Sequence, residues 1–323
     1  MPRVVRVGAR LMAGLATRGG WMLTILLAVA WLAGRGVSDR VVWSQWLRWI
    51  PTAALIGVLL LGLAAARAGP ATRWRRRRTI VSVIALTVTL GHFALLEHRL
   101  LRRPPAAPDG MSLSVWHMGF RRTSDAMRTH TRTAARALFA DITLLIDGHD
   151  IRGEIIDTRP DDTGSVIQGR FTLITRLPIL EARTFIATDH FDVVQFRLDD
   201  GADGLVLLAV DLPSDPRLPR SELAGTLRRL LDETGVATPD IVAGDFNIPR
   251  GSHSIERVFP TLHHAYRDGG HGYASTYPRV YPLYHIDHLL LDAGWRATRY
   301  DIVDPGVGRH RAQRAWVVRA PPG

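Results

Sequence analysis

The chain has 323 residues and a formal charge of +11, long enough for one large or two ordinary domains with a full core. It contains no cysteine, which excludes a disulfide framework and any thiolate zinc site, and no lysine, so every fixed positive side chain is arginine. Residues 1–103 carry 16 Arg against Asp39 and Glu97, whereas residues 104–323 carry 25 Arg against 28 acidic groups, a net of −3, so net charge gives no support to a nucleic-acid-binding C-terminal region.

Three uncharged apolar runs fill the N-terminal third: Gly19–Gly34, Trp49–Ala66 and Thr79–Leu96. The second and third are long enough to span a bilayer, and the first leans on snorkelling Arg18 and Arg35. With Trp21, Trp31, Trp46 and Trp49 near their ends, they predict an anchor over 1–103 with three transmembrane helices at about 19–34, 49–66 and 79–96. The connector Arg67–Arg78 is the strongest positive cluster, so the positive-inside rule places it in the cytoplasm. The N-terminus, with Arg3, Arg6, Arg10 and Arg18, then also lies inside. Arg99, Arg102 and Arg103 argue the other way, but two loops outweigh one. The expected protein is a multi-pass cell-membrane protein, in contact with the lipid bilayer, whose C-terminal domain is extracytoplasmic. His92, near the end of the third run, reads as a packed or interfacial histidine. Residues 104–110 form a linker in which Pro104, Pro105 and Pro108 hold the backbone extended.

The domain over 111–323 begins with a strand at Met111–Trp116. Apolar residues at helical spacing predict a helix over Arg122–Ala140, followed by a strand at Asp141–Ile146. Further strands are expected at Ser165–Thr175, Arg183–Leu198 and Leu205–Asp211, then an amphipathic helix at Ser221–Thr234. A short apolar strand, Ile241–Ala243, leads into Gly244-Asp245-Phe246-Asn247. A short helix near Ser254–Phe259 and strands at His285–Leu291, Thr298–Val303 and Arg314–Arg319 complete the chain. Many strands with only two convincing helices predict a mixed, largely antiparallel α/β sheet system.

Polar residues gather at strand ends: His117, Asp147, Asp211, Asp245, Asn247 and Asp287. In an extended backbone Asp245 and Asn247, at i and i+2, point the same way, with Phe246 turned into the core. A carboxylate beside a carboxamide suits a hard cation or a phosphoryl oxygen; an Asx turn after a strand is the plainer reading of the same triplet.

These stretches together resemble the endonuclease/exonuclease/phosphatase superfamily, from about Met111 to Val318 and in the family's order. Gly244-Asp245-Phe246-Asn247 is similar to the family's Gly-Asp-Phe-Asn signature. Thr276-Tyr277-Pro278 with Ile286-Asp287-His288 resembles its Thr-Tyr and Ile-Asp-His motifs, and Gly308-Arg309-His310-Arg311 sits where its closing Ser-Asp-His-Arg motif falls. Ala140–Asp147 resembles the strand that supplies the metal carboxylate, and Val115-Trp116-His117-Met118-Gly119 the opening Trp-Asn segment. The resemblance implies a four-layer α/β/β/α sandwich after the transmembrane bundle. It implies that Asp245, Asn247, Asp287 and His310 are catalytic, with Asp245 activating water, Asn247 positioning the phosphate and His310 stabilising the pentavalent phosphorus.

The chain departs from the family at four places. His117 replaces an Asn, Asp147 a Glu, Asp211 a His, and Arg309 the Asp expected to orient the final His. His117, Asp147 and Asp287 are the metal ligands the resemblance implies, for Mg²⁺ or Mn²⁺, with the histidine favouring the softer ion. Arg309 and Asp211 fall at substrate-binding positions, Asp211 bringing negative charge toward the phosphate and Arg309 able to contact it. The expected function is a membrane-anchored, divalent-metal-dependent phosphodiesterase or phosphatase acting on a phosphoester outside the cytoplasm. The alternatives are a family member without catalysis that binds phosphate or lipid headgroups, and a structural domain without a ligand.

Overall fold

The computed structural model of the chain describes residues 3–67, 72–105, 108–120, 124–188 and 191–320, with backbone only for residues 3–17. Parts of five expectations fall outside these residues: the middle of the Arg67–Arg78 connector, residues 106 and 107 of the linker, the start of the helix expected at Arg122, residues 189 and 190 of the strand expected at Arg183–Leu198, and the side chains of Arg3, Arg6 and Arg10. The chain divides into two units, Met1–Arg99 and Leu100–Gly323.

The first unit is helical: α1 (Arg3–Val37), α2 (Ser44–Arg48), α3 (Thr52–Arg67) and α4 (Arg73–Gly91), the last running on into a π-helical turn over His92–Glu97. Trp31, Leu55 and Leu59 form its small core, and Trp31 Nε1 donates to Thr52 Oγ1 at 3.2 Å. Most other large apolar side chains face outward, among them Leu26, Leu32, Leu61, Ile84 and Leu96. Among the described residues, two segments are long and apolar enough to cross a membrane, Arg18–Val37 and Arg73–Glu97. The expected middle span falls short. Pro51 ends the Trp49–Pro51 turn and sets the start of α3, which has 16 residues. That is about 24 Å at 1.5 Å per residue, against a hydrocarbon core of about 30 Å. Arg73–Arg78 form the first turns of α4 instead of a free connector, capped by Thr72, whose hydroxyl accepts from the Arg75 amide at 3.1 Å.

The second unit holds β1 (Met111–His117), α5 (Asp125–Leu138), β2 (Ile142–Ile146), α6 (Arg152–Ile156), β3 (Gly164–Gln168), β4 (Phe171–Thr175), β5 (Ile179–Ala187), β6 (Asp192–Leu198) and β7 (Leu205–Asp211). These are followed by α7 (Arg220–Thr234), β8 (Ile241–Asp245), α8 (His253–Val258), β9 (His263–His264), α9 (Ala265–Gly269), β10 (Asp287–Leu291), β11 (Trp295–Val303) and β12 (Ala312–Arg319). Two sequence expectations of a single strand are hairpins. Ser165–Thr175 folds back at Gly169, whose φ of +57° suits a residue without a Cβ, and Arg183–Leu198 divides into β5 and β6.

The strands make two six-stranded sheets, ordered β11-β12-β1-β2-β4-β3 and β5-β6-β7-β8-β10-β9. Each has one parallel pair, β1·β2 and β7·β8, and is otherwise antiparallel. One core joins alternate residues of both sheets, such as Leu113, Val115, Leu144 and Ile146 with Val194, Leu207, Ala243 and Leu289. The sheets therefore stack face to face. On the outer side of the first, Trp116, Leu145 and Ile174 pack on Ala135 and Leu138 of α5 and Ile155 of α6. On the outer side of the second, Val210, Val242 and Leu290 pack on Leu223 and Leu227 of α7 and Val258 of α8. Gly244 lets β7 and β8 approach, since a Cβ there would stand 1.8 Å from the Val210 carbonyl oxygen.

Candidate active site

Strand alternation and sheet order bring a row of carboxylates to one end of the second sheet. Asp192 pairs with Asp211, Asp211 with Asp245, and Asp245 with Asp287, across β6, β7, β8 and β10. Each is an even number of residues from side chains in the shared core, so all four face the other sheet. The first sheet brings His117 from the end of β1, on the same parity as Leu113 and Val115, and Asp147 from just past β2. His310 comes from the turn before β12.

Like charges side by side on neighbouring strands repel, so this row requires cations within it. Arg170, at the β3–β4 turn, supplies one: its Nε lies 2.7 Å from Asp192 Oδ2 and its Nη1 2.9 Å from Asp211 Oδ2. His117 lies between two more carboxylates, with Nε2 3.1 Å from Asp147 Oδ2 and Nδ1 2.8 Å from Asp245 Oδ2. The second contact lies outside hydrogen-bond geometry and leaves Nδ1 without a hydrogen-bond partner. His310 Nδ1 sits 3.0 and 3.1 Å from the two oxygens of Asp287, with Nε2 3.9 Å from Asp245 Oδ2. The rings of His117 and His310 stand 4.3 Å apart, and Tyr277 packs on His310 at 4.8 Å.

Protonation follows this arrangement. Burial opposes charge on His117, but the carboxylates of Asp147 and Asp245 outweigh it and hold the imidazole well above its ordinary value. Burial likewise works to raise Asp147 and Asp287, yet His117 lowers the first and His310 the second. At Asp211 burial wins, reinforced by Asp245 and Asp147, and pushes the carboxyl up to about 7 despite His117 and Arg170.

Of the residues singled out in the sequence, His117, Asp245, Asp287 and His310 offer donor atoms that all lie within 4.8 Å of one another. Asp147 joins through His117, and Asp211 stands one strand away, tied to Arg170. Asn247 is not in extended backbone beside Asp245. It has φ +50°, its amide donates to Asp245 Oδ1 at 2.9 Å, and its Nδ2 donates to the Leu212 carbonyl at 2.8 Å. The triplet is thus an Asx turn that also orients the Asp245 carboxylate.

Two further expectations change. Arg309 does not leave His310 without an orienting acid, because Asp287 holds that ring from the neighbouring sheet. The Arg309 side chain is exposed and has no ion pair among the described residues. The charge on Asp211 is met by Arg170. Arg170 and Asp192 were missed because no motif marks them; the lone Gly169 marks only the turn that carries Arg170. Asp147, at φ +64°, is held by its backbone N–H, which donates to the Arg170 carbonyl at 3.0 Å, so one residue serves both sides of the site.

Asp147 Oδ2 and His117 Nε2, 3.1 Å apart, form a mixed oxygen and nitrogen pair. Two donor atoms at that spacing can be neighbouring ligands of one cation that displaces the ring proton, and such a pair suits Mn²⁺ better than Mg²⁺.

No protein-family model matches the sequence, and no curated protein matches it. Among solved structures, the chain is similar to an endonuclease/exonuclease/phosphatase family protein from Bacteroides thetaiotaomicron, with TM-score 0.53 and 15% identity over 67% of this chain and 100% of that one. It is also similar to a mannosyl-6-phosphatase from the same organism, with TM-score 0.52 and 15% identity over 65% and 100%. A humanized D. rerio TDP2 gives TM-score 0.50 and 16% identity over 64% and 98%. The unit Leu100–Gly323 has the endonuclease/exonuclease/phosphatase fold.

Proposed function

We propose that the second unit is a divalent-metal-dependent phosphoester hydrolase held at a cell membrane by the N-terminal helices, with its site outside the cytoplasm. The observation that carries the hydrolase reading is the convergence of His117, Asp245, Asp287 and His310 from two sheets onto one point. The membrane reading rests on the two segments long and apolar enough to span. The orientation rests on the arginine cluster before the second of them and on α3 crossing as a short third span, which puts the N-terminal arginines on the same side as that cluster, and the phosphoester class on the fold shared with a phosphatase.

In this reading Asp245 Oδ2 takes a proton from the attacking water as its oxygen bonds to phosphorus and the ester P–O bond opposite it breaks. Asp287 accepts from His310 Nδ1–H and holds the ring with Nε2 toward Asp245, so the imidazolium form can donate from Nε2 to a phosphoryl oxygen as negative charge grows. Asn247 holds Asp245 in place through its amide. Arg170 offsets Asp192 and Asp211, which would otherwise repel an anionic substrate. Mn²⁺ or Mg²⁺ held by Asp147 and a deprotonated His117 Nε2 would supply charge neutralisation and a more acidic water. A binding module without turnover is the competing reading. It draws on Asp211, a carboxylate at a position where the family resemblance implies an electrophilic histidine.

The test is hydrolysis by the full chain in detergent, with Mn²⁺, Mg²⁺ or chelator, of a phosphodiester, a phosphomonoester and a sphingolipid. Metal-dependent turnover of one class is expected. No turnover of any, with phosphate still binding, would select the binding module. A reporter fused at the C-terminus should be active only outside the cytoplasm.

A further inference from the structure

Three histidines that this reading does not use meet at the β9 edge of the second sheet. His264 ends β9, His285 lies just before β10, and His288 is the second residue of β10. One nitrogen from each lies within 4.8 Å of the other two. The ring centres stand 4.8 Å apart for His264 and His285, 5.2 Å for His264 and His288, and 5.7 Å for His285 and His288. Imidazoles sharing one tetrahedral zinc at about 2.0–2.1 Å have ring centres roughly 5 Å apart.

The tautomers favour ligation at two of the three. His288 is fully buried, and its Nε2 donates to the Ile248 carbonyl at 2.7 Å, which leaves the lone pair on Nδ1, where no protein group meets it. A backbone carbonyl behind the ring is how metal-binding imidazoles are commonly oriented. His285 Nε2 faces the Tyr300 hydroxyl at 3.5 Å, and that hydroxyl donates to Gln313, so His285 also carries its lone pair on Nδ1. His264 must rearrange. Its Nδ1 accepts from the Tyr266 amide at 3.0 Å, while its Nε2 is buried without a partner. Ligation by Nε2 places the ring proton on Nδ1 and releases that amide, so α9, the five-residue helix this bond caps, is the element that adjusts.

We propose that His264, His285 and His288 form a zinc-binding site, separate from the Asp245 site, that ties the edge strand β9 to β10. Three neutral nitrogens with no carboxylate among them, near the guanidinium of Arg250, suit a borderline ion and reject Mg²⁺ or Ca²⁺, which seek oxygen.

The experiment uses the full chain in detergent, stripped by chelator and loaded with Co²⁺ as a spectroscopic probe, then with Zn²⁺ and measured for bound metal. Wild type should show the visible bands of tetrahedral cobalt. The bands should persist in His117→Gln and vanish in His264→Gln and His285→Gln. Zn²⁺ should raise the melting temperature of wild type, and one equivalent of bound zinc should be lost in His264→Gln. His264 is the least buried of the three, so this variant carries the test if His285→Gln does not fold. Absence of the bands from wild type, or their loss in His117→Gln with retention in His264→Gln, overturns the proposal and leaves a hydrated histidine cluster. Hydrolysis is not a readout here, so failure of the enzyme reading leaves this result intact.

Discussion

Asp287 and His288 are neighbours in sequence and belong to different clusters, because alternate residues of β10 face opposite ways. Around Asp287 two histidines lie among carboxylates; around His288 three histidines lie among aromatic rings and backbone carbonyls. Both sets are buried, yet His117 is held well above its ordinary value and His288 drops to about 4. Burial alone strips the proton from an imidazole, and adjacent carboxylates reverse that outcome. One strand thus carries a charged site on one face and a neutral one on the other.

The strongest break of this comparison is Asp245→Asn, nearly isosteric, which should lower turnover by about a hundredfold or more while the circular dichroism stays unchanged. Turnover at the wild-type level would remove Asp245 as the base. Asp287→Asn acts through His310. It should reduce kcat by about 10–100-fold with little change in KM, the scale of losing a group that orients a reacting side chain. A change confined to KM would place Asp287 at the substrate instead.

The pH dependence of stability, measured in chelator, sharpens the contrast between the two faces. Asp211 has a native pKa raised to about 7 from 3.8, so its stabilising contribution is full below pH 4 and lost as pH rises to 7. Asp211→Asn should therefore gain on wild type across that window, by at most about 1.4 kcal/mol per pH unit. His288 has its pKa lowered from 6.5 to about 4, so its contribution is full above pH 6.5 and lost as pH falls to 4. His288→Gln should gain on wild type as pH falls. Two variants tilting the same way would contradict the opposite environments.

The smallest effect is expected at Arg309→Asp. His310 already has its carboxylate in Asp287, so a second one at an exposed position should change kcat by less than about threefold and should not raise it.

The sequence by itself determined the local facts. Apolar periodicity placed β7 at Leu205–Asp211 and α7 within one residue of its start, because burial of one face is written in the spacing of the side chains. The motif around Asp245 and the polar strand ends marked three of the four residues that converge, and the closing motif marked His310. Only the tertiary structure decided which strands lie side by side and which turns reach them. The row from Asp192 to Asp287 exists because β6, β7, β8 and β10 are neighbours. The clamp of Asp287 on His310 joins the two sheets, and Arg170 reaches Asp211 from a turn 41 residues away in the chain. Pairing at such separations depends on long-range packing, which leaves no local periodicity to read, so Arg309 looked like a loss and Arg170 like one more residue of the strand expected at Ser165–Thr175 until the strands were placed.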